Sequence, residues 1–240
     1  MDAGRFASAI TFRRYGVESD LADYGRLSAA LARRGASLEM LNTKLPAHEP
    51  QLRGRLGRLL EIPRMSTFAI GAIINVGVAA MPQEAIFVNV GVWHGFTLLA
   101  GMAGNVNRTS VGVDDFSQFG GPRREFLERF EQARGARDAF YDQGFDDYFE
   151  KAHAGRPIGF YLYDGGHGYA DQMRGLALAE PFLVPGALIL VDDTNWPNPR
   201  RATMDFLDAR RGAYEVLAER ATPVNRHPTF WNGIMLIRRC

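Results

Sequence analysis

Two acidic clusters carry the chemistry that this sequence most clearly offers. Asp164-Gly165-Gly166-His167 ends one apolar run, Ile158 to Tyr163. Asp192-Asp193-Thr194-Asn195 ends another, Ala187 to Val191. Short apolar runs bounded by turn residues read as strands buried on both faces. The stretch between them, Tyr169 to Leu183, reads as a helix closed by Pro185-Gly186. The unit is β-α-β, and a crossover of this kind makes its two strands parallel. If the strands are neighbours, three carboxylates meet at the sheet edge where open α/β sheets bind ligands. Two carboxylates about 4 Å apart repel by roughly 4 kcal/mol at an effective dielectric of 20. Such a trio calls for a cation or a proton. Oxygen donors without a nearby thiolate favour Mg²⁺, Mn²⁺ or Ca²⁺ over zinc. An imidazole is the side chain best suited to proton transfer near neutral pH, so His167 is a candidate general base, with Asp164 as the alternative.

The elements around these clusters alternate. Strands are expected at 85–90, 109–113, 138–141, 158–163 and 187–191, with helices at 95–103, 123–134, 146–153 and 169–183 between them. A helix at 200–210, capped by Asn198 with Pro199 at its first position, precedes strands at 214–218 and 230–237. Alternating β and α elements predict a parallel sheet with helices on both faces, and the last two strands should pair antiparallel. Residues 1–80 differ. Leu21, Tyr24, Leu27, Leu31, Leu38 and Leu41 recur at helical spacing. A second helix is expected at 51–60 and a third at about 67–80, with Ser66 as its cap. This region reads as a helical extension, and 81–240 as the main domain.

The first strand runs into Asn89-Val90-Gly91-Val92-Trp93-His94-Gly95. Two glycines at this spacing let the backbone turn sharply and approach a ligand, and the helix that follows offers free N–H groups. The third glycine of the dinucleotide fingerprint is missing, and so is a phosphate loop. Asp114 and Asp115 lie about 20 residues beyond Gly95, where an acid commonly accepts hydrogen bonds from ribose hydroxyls. A loop acid or a cap is the competing role for either. A ribose without a phosphate cradle suggests a nucleoside such as S-adenosylmethionine. Gln143, Gly144 and Phe145 follow the third strand, where an adenine would lie. Trp93 and Phe96 either pack near the cofactor or belong to the core, the commoner role for aromatic residues beside a glycine turn; Trp196 and Trp231 line an acceptor pocket or are equally core.

From Ala85 to Arg238, nearly two-thirds of the chain, the order of these features resembles the class I S-adenosylmethionine-dependent methyltransferases. The segment from Asp164 through Pro185-Gly186 to Asp193 looks like the metal-dependent small-molecule O-methyltransferases of the macrocin type, and more distantly like catechol O-methyltransferase. The resemblance implies a Rossmann-like α/β fold with a seven-stranded, mostly parallel sheet whose last strand is antiparallel. It implies S-adenosylmethionine held by Asn89, Gly91, Val92, Trp93, Gly95, Asp114, Asp115, Gln143 and Asp164. It also implies Mg²⁺ on Asp164, Asp192 and Asp193, with Asn195 an extra contact, and a small-molecule hydroxyl as acceptor. Asn89 stands where the family usually has an acid. The N-terminal region corresponds to the part that closes over substrate in related enzymes. A nicotinamide-dependent oxidoreductase and a non-catalytic nucleoside-binding relative remain as alternatives.

The composition fits this frame. Of 240 residues, 46% are hydrophobic and 23% charged, and the net charge is +1. There is no global field to attract nucleic acid or an anionic membrane. The single Cys240 permits no internal disulfide. The start shows no signal-peptide core, and the apolar stretch 68–81 is too short to span a bilayer. A cytoplasmic enzyme is expected, with homo-oligomerisation left open.

Overall fold

The computed structural model describes residues 2–240. Its N-terminal third holds α1 (Ala3–Ala9), β1 (Thr11–Phe12), α2 (Tyr24–Ala32), α3 (Leu38–Asn42), β2 (Thr43–Lys44), α4 (Glu49–Leu56) and α5 (Phe68–Ala80). The leucine periodicity from residue 21 to 41 predicts one helical face, but the helix breaks. Gly35 adopts φ +69°, a conformation that costs glycine little, and helix resumes only at Leu38. Ser66 does not cap α5. Thr67 takes that place, with extended backbone and a side chain that accepts from the Ile70 N–H. β1 and β2 form a small antiparallel pair, which the sequence pattern did not signal.

The second part alternates as expected: β3 (Ile86–Val90), α6 (Phe96–Met102), β4 (Thr109–Asp114), α7 (Arg123–Ala133), β5 (Ala139–Asp142), α8 (Phe145–Asp147), β6 (Ile158–Tyr163), α9 (Tyr169–Ala179), β7 (Leu183–Val191), α10 (Pro197–Asp208), β8 (Tyr214–Arg220) and β9 (Ile234–Arg239). The sheet has seven strands in the order β5-β4-β3-β6-β7-β9-β8. The first four contacts are parallel, and β9 runs antiparallel between β7 and β8. Several boundaries differ from the sequence reading: the last strand begins at Ile234 rather than 230, and α9 ends at Ala179 rather than 183. β7 begins at Leu183, so Pro185-Gly186 lies inside the strand at an irregularity in its pairing with β6. α10 begins at Pro197 after Trp196, two residues ahead of the expected Asn198-Pro199 start.

Helices cover both faces. Phe87, Phe160, Leu162, Leu190 and Leu236 meet α1, α4, α5, α6 and α7 on one side. Val88, Val113, Tyr161, Tyr163, Ile189 and Met235 meet α9, α10 and the turn after α8 on the other. Successive strand residues alternate between these two cores, as the pleat requires. α5 is apolar on nearly every side, and ten of its thirteen residues are buried. A helix of that kind belongs inside a domain, and residues 3–80 pack into the same core as the sheet. Among the described residues, no helix is long and apolar enough to cross a membrane.

The contact of α5 with the sheet is close because position 77 is a glycine. A methyl group there would overlap the Phe160 ring. Overpacking of this kind costs about 1–3 kcal/mol. Gly77→Ala is expected to lower the thermal midpoint by several degrees, and an unchanged melting curve would show that α5 is free to move off the sheet.

Candidate active site

The site is built at the carboxyl ends of β3, β4, β5, β6 and β7. β3 and β6 are paired side by side, so the turns that follow them are neighbours. Gly91 sits at φ +78°, and a Cβ on it would overlap the Asp164 carbonyl. The Asp164 N–H donates to the Val90 carbonyl at 3.0 Å, and the Gly91 N–H donates to Val113 at 2.9 Å. Only glycine lets the β3 turn lie directly against the acid at the end of β6. Gly95, at φ +97°, starts α6 against the Phe126 ring.

Asp114 holds this turn in shape. Its Oδ2 accepts from the Val92 and Trp93 N–H groups at 2.9 and 2.8 Å, and its Oδ1 accepts from Phe116 N–H at 2.7 Å. A carboxylate has about four lone-pair sites, so roughly one is left for a ligand. Asp115 is exposed, with Oδ1 on the Ser117 N–H at 2.9 Å. Both acids line the main cavity, which measures about 420 Å³. Gly91, Trp93, Gln143, Asp164, His167 and Asp193 line it as well. Gln143 brings a buried Nε2 without a hydrogen-bond partner, a free donor where a base edge would lie. Phe145 stacks edge-on against Tyr163, with centroids 5.6 Å apart. Trp196 and Trp231 also line this cavity, and Phe96 is buried in the core and lines a smaller one.

At the acidic end, one oxygen each from Asp164 and Asp193 and one nitrogen of His167 lie within 4.8 Å of one another. His167 Nε2 is 3.0 Å from Asp193 Oδ2, and its ring meets Trp196 edge-on at 4.8 Å. Asp193 is a non-glycine residue at φ +57°. Strained backbone of this kind persists only where surrounding contacts hold it. Asn232 is one such contact, its Nδ2 donating to Asp193 Oδ1 at 2.6 Å. Asp192 is buried behind this group, and its Oδ1 accepts the Asp193 N–H at 2.9 Å. The close donor set therefore contains His167 in the place the sequence reading gave to Asp192. Asn195 turns away. Its side chain bonds Thr222 through both the amide and the carbonyl.

Burial and the charges of Asp192, Asp193 and Asp114 push the Asp164 carboxyl well above the ordinary value. Burial and the Asp193 charge do the same to Asp192. Burial raises Asp193 as well, opposed by His167 and Asn232. Each carboxyl would be stabilised by a positive charge in its midst. His94 lies outside the main cavity and accepts from Arg129 at 3.2 Å. Burial, reinforced by the Arg129 charge, lowers its pKa.

Three unpaired polar atoms lie beside the glycine turn, two of them on Arg64 and Ser66, to which the sequence reading gave no part in the site. Arg64 Nε, Ser66 Oγ and Asn89 Oδ1 are buried without hydrogen-bond partners. Arg64 and Ser66 line a small cavity of about 30 Å³ between the segment before α5 and the turn itself. Asn89 commits its amide to the Val90 and Gly91 carbonyls, which leaves its own carbonyl oxygen free. No motif marks Arg64 or Ser66, because their neighbours at the turn are distant in sequence.

The strand order, the antiparallel β9 and the turn against Asp164 define a class I, Rossmann-like methyltransferase fold. Residues 88–194 match the family model described as a methyltransferase domain. Among solved structures, the O-methyltransferase from Bacillus cereus in complex with S-adenosylhomocysteine is similar at a TM-score of 0.58 and 12% identity. That alignment covers 90% of this chain and 99% of the other. The calicheamicin methyltransferase CalS11 is similar at 0.57 and 15% identity, covering 92% and 94%. The O-methyltransferase NovP is similar at 0.56 and 16%, covering 80% and 97%. Identities this low speak to fold alone. No curated protein matches the chain in sequence.

Asp114 provides a direct check. Asp114→Ala unpairs up to three backbone donors, at about 1–3 kcal/mol for each one left unsatisfied. S-adenosylhomocysteine affinity is expected to fall at least tenfold, and the melting temperature to fall with it. A loss of affinity at unchanged melting temperature would reduce Asp114 to a ligand contact without a structural role.

Proposed function

We propose that this protein transfers a methyl group from S-adenosylmethionine to a hydroxyl of a small molecule, with a divalent cation assisting. The observation that carries the reading is the convergence of Asp164, His167 and Asp193 on the cavity, directly beside the turn that Gly91 makes against Asp164. Asp114 or Asp115 would take the ribose, Gln143 the adenine edge, and the backbone of Gly91 to Gly95 the remainder of the donor. The unpaired Arg64 Nε and Ser66 Oγ suit its carboxylate, and Asn89 Oδ1 suits its ammonium.

The donor set fits a hard cation. Two carboxylates made costly by burial face each other with an imidazole at their side, and Asp192 adds charge from behind. Asp164 and Asp193 would hold the ion, with Asp192 behind them. A cation bound there would lower the pKa of a substrate hydroxyl and fix its direction.

The chain's own residues do the rest. Asp193 fixes the His167 ring through Nε2. That pairing leaves Nδ1 as the lone pair able to take the hydroxyl proton. Asp164 is the alternative acceptor. The walls hold the acceptor oxygen in line with the donor methyl, so that the C–O bond forms as the C–S bond breaks. The products are a methyl ether and S-adenosylhomocysteine. CalS11 is also described as a TDP-rhamnose 3'-O-methyltransferase, and a sugar hydroxyl is one acceptor class that fits, a phenol the other.

Two measurements test this reading. In the first, Mn²⁺ is titrated against the protein by calorimetry. Asp193→Asn is expected to weaken binding at least tenfold, while His167→Gln leaves it within about threefold and instead abolishes turnover. Comparable loss of Mn²⁺ binding in both variants would make His167 a ligand and leave the base role to Asp164. Retention in both would exclude this ion site.

The second measurement follows from the sign of the pKa shifts. A carboxyl raised on folding binds its proton more tightly in the folded chain. Its contribution to stability is therefore fully present below the ordinary value of 3.8 and is lost as pH rises through the raised one. Above that range the metal-free protein carries the repulsion, and a cation relieves it. Mg²⁺ or Mn²⁺ is expected to raise the melting temperature more at pH 8 than at pH 5. A metal-induced shift that is equal at the two pH values, or absent at both, counts against it.

A further inference from the structure

We propose that Arg226 selects an acceptor that carries an anionic group, a carboxylate or a phosphate ester, and that it pairs with that group across the cavity from the acidic centre. The inference rests on the methyl-transfer reading above and narrows its substrate class.

Arg226 is the single Lys or Arg among the residues lining the main cavity. Arg226 is exposed at the cavity, whose lining also includes Asp164, Asp171 and Asp193. Among the described residues, its guanidinium makes neither a hydrogen bond nor an ion pair. Many other arginines here are committed: Arg53, Arg174, Arg210 and Arg238 each pair with a glutamate. An arginine left unpaired on a cavity wall of opposite charge is placed to meet something that enters the cavity.

The loop that carries it is built to present it. Arg226 sits at φ +61°, a left-handed conformation uncommon for a residue other than glycine. Three ties hold it there. His227 and Trp231 exchange backbone hydrogen bonds at 3.0 and 2.9 Å. Thr222 Oγ1 donates to the Val224 or the Trp231 carbonyl, both at 3.0 Å. The Arg226 N–H donates to Asn232 Oδ1 at 2.7 Å, and the same Asn232 amide donates to Asp193 Oδ1 at 2.6 Å. One side chain thus sets the distance between the arginine backbone and the reacting centre. An observed strain held by several contacts at a cavity wall is a fair pointer to function. A planar guanidinium suits carboxylate and phosphate equally, through paired N–H donors.

The test uses matched pairs of probes on the protein saturated with S-adenosylhomocysteine. 3,4-Dihydroxybenzoate is compared with catechol, and glucose 1-phosphate with glucose. In the unmodified protein, at least one anionic probe is expected to bind ten times more tightly than its neutral counterpart, and the pair that shows the preference names the anion. Arg226→Gln should abolish that preference, and Arg226→Lys should keep part of it. S-adenosylhomocysteine affinity is expected to stay within twofold in both variants. The proposal is overturned if neither pair shows a preference, or if Arg226→Gln leaves the preference intact. It is also overturned if Arg226→Gln weakens S-adenosylhomocysteine binding, which would assign the guanidinium to the cofactor carboxylate. Failure of the unmodified protein to bind S-adenosylhomocysteine at all would instead strike the methyl-transfer reading.

Discussion

The chemistry of this molecule depends on a main-chain contact. The turn after β3 and the turn after β6 touch where Gly91 meets the Asp164 carbonyl, and no side chain fits between them. Parallel pairing of β3 with β6 puts the two strand ends at the same level. The contact then fixes how far a ligand held by the glycine turn can lie from the acids. Asp114 secures the same turn from the other side, through the Val92 and Trp93 N–H groups. The glycine turn and the acidic centre are therefore parts of one sheet edge.

Against that rigidity stands an electrostatic cost. Asp164, Asp192 and Asp193 are brought together in partial burial, and each carboxyl is driven toward its protonated form. A fold selected only for stability would gain by replacing them, since buried charges without partners are expensive. The strained backbone at Asp193, the Asn232 bond that holds its carboxylate and the His167 contact are arrangements that tolerate this cost locally. The N-terminal third belongs to the same construction. α5 lies on the sheet, and the segment leading into it brings Arg64 and Ser66 to the glycine turn.

Much of the architecture was legible in the chain because the signals are local. Apolar runs ending in turn residues gave β3, β4, β6 and β7, and the lack of a helix between the last two strands gave an antiparallel pair. The errors were local as well. Thr67 rather than Ser66 caps α5, because neighbouring residues of similar capping ability compete; α10 starts before Asn198, with Pro197 at its first position and no side-chain cap. The leucine series at 21–41 gave one helix where Gly35 makes two, since periodicity does not register a left-handed residue.

At the site, the chain by itself determined which residue types stand at the strand ends: the glycines of the first turn, Asp114, and the clusters Asp164 to His167 and Asp192 to Asn195. Those follow from residues adjacent in sequence, where pattern suffices. The tertiary structure alone decided which of them converge. It turned Asn195 toward Thr222, set Asp192 behind Asp193, brought His167 within reach of both Asp164 and Asp193, and supplied Asn232 from the β8–β9 loop. A side chain's direction depends on its backbone angles and on neighbours far away in sequence, and neither can be read from the order of the residues.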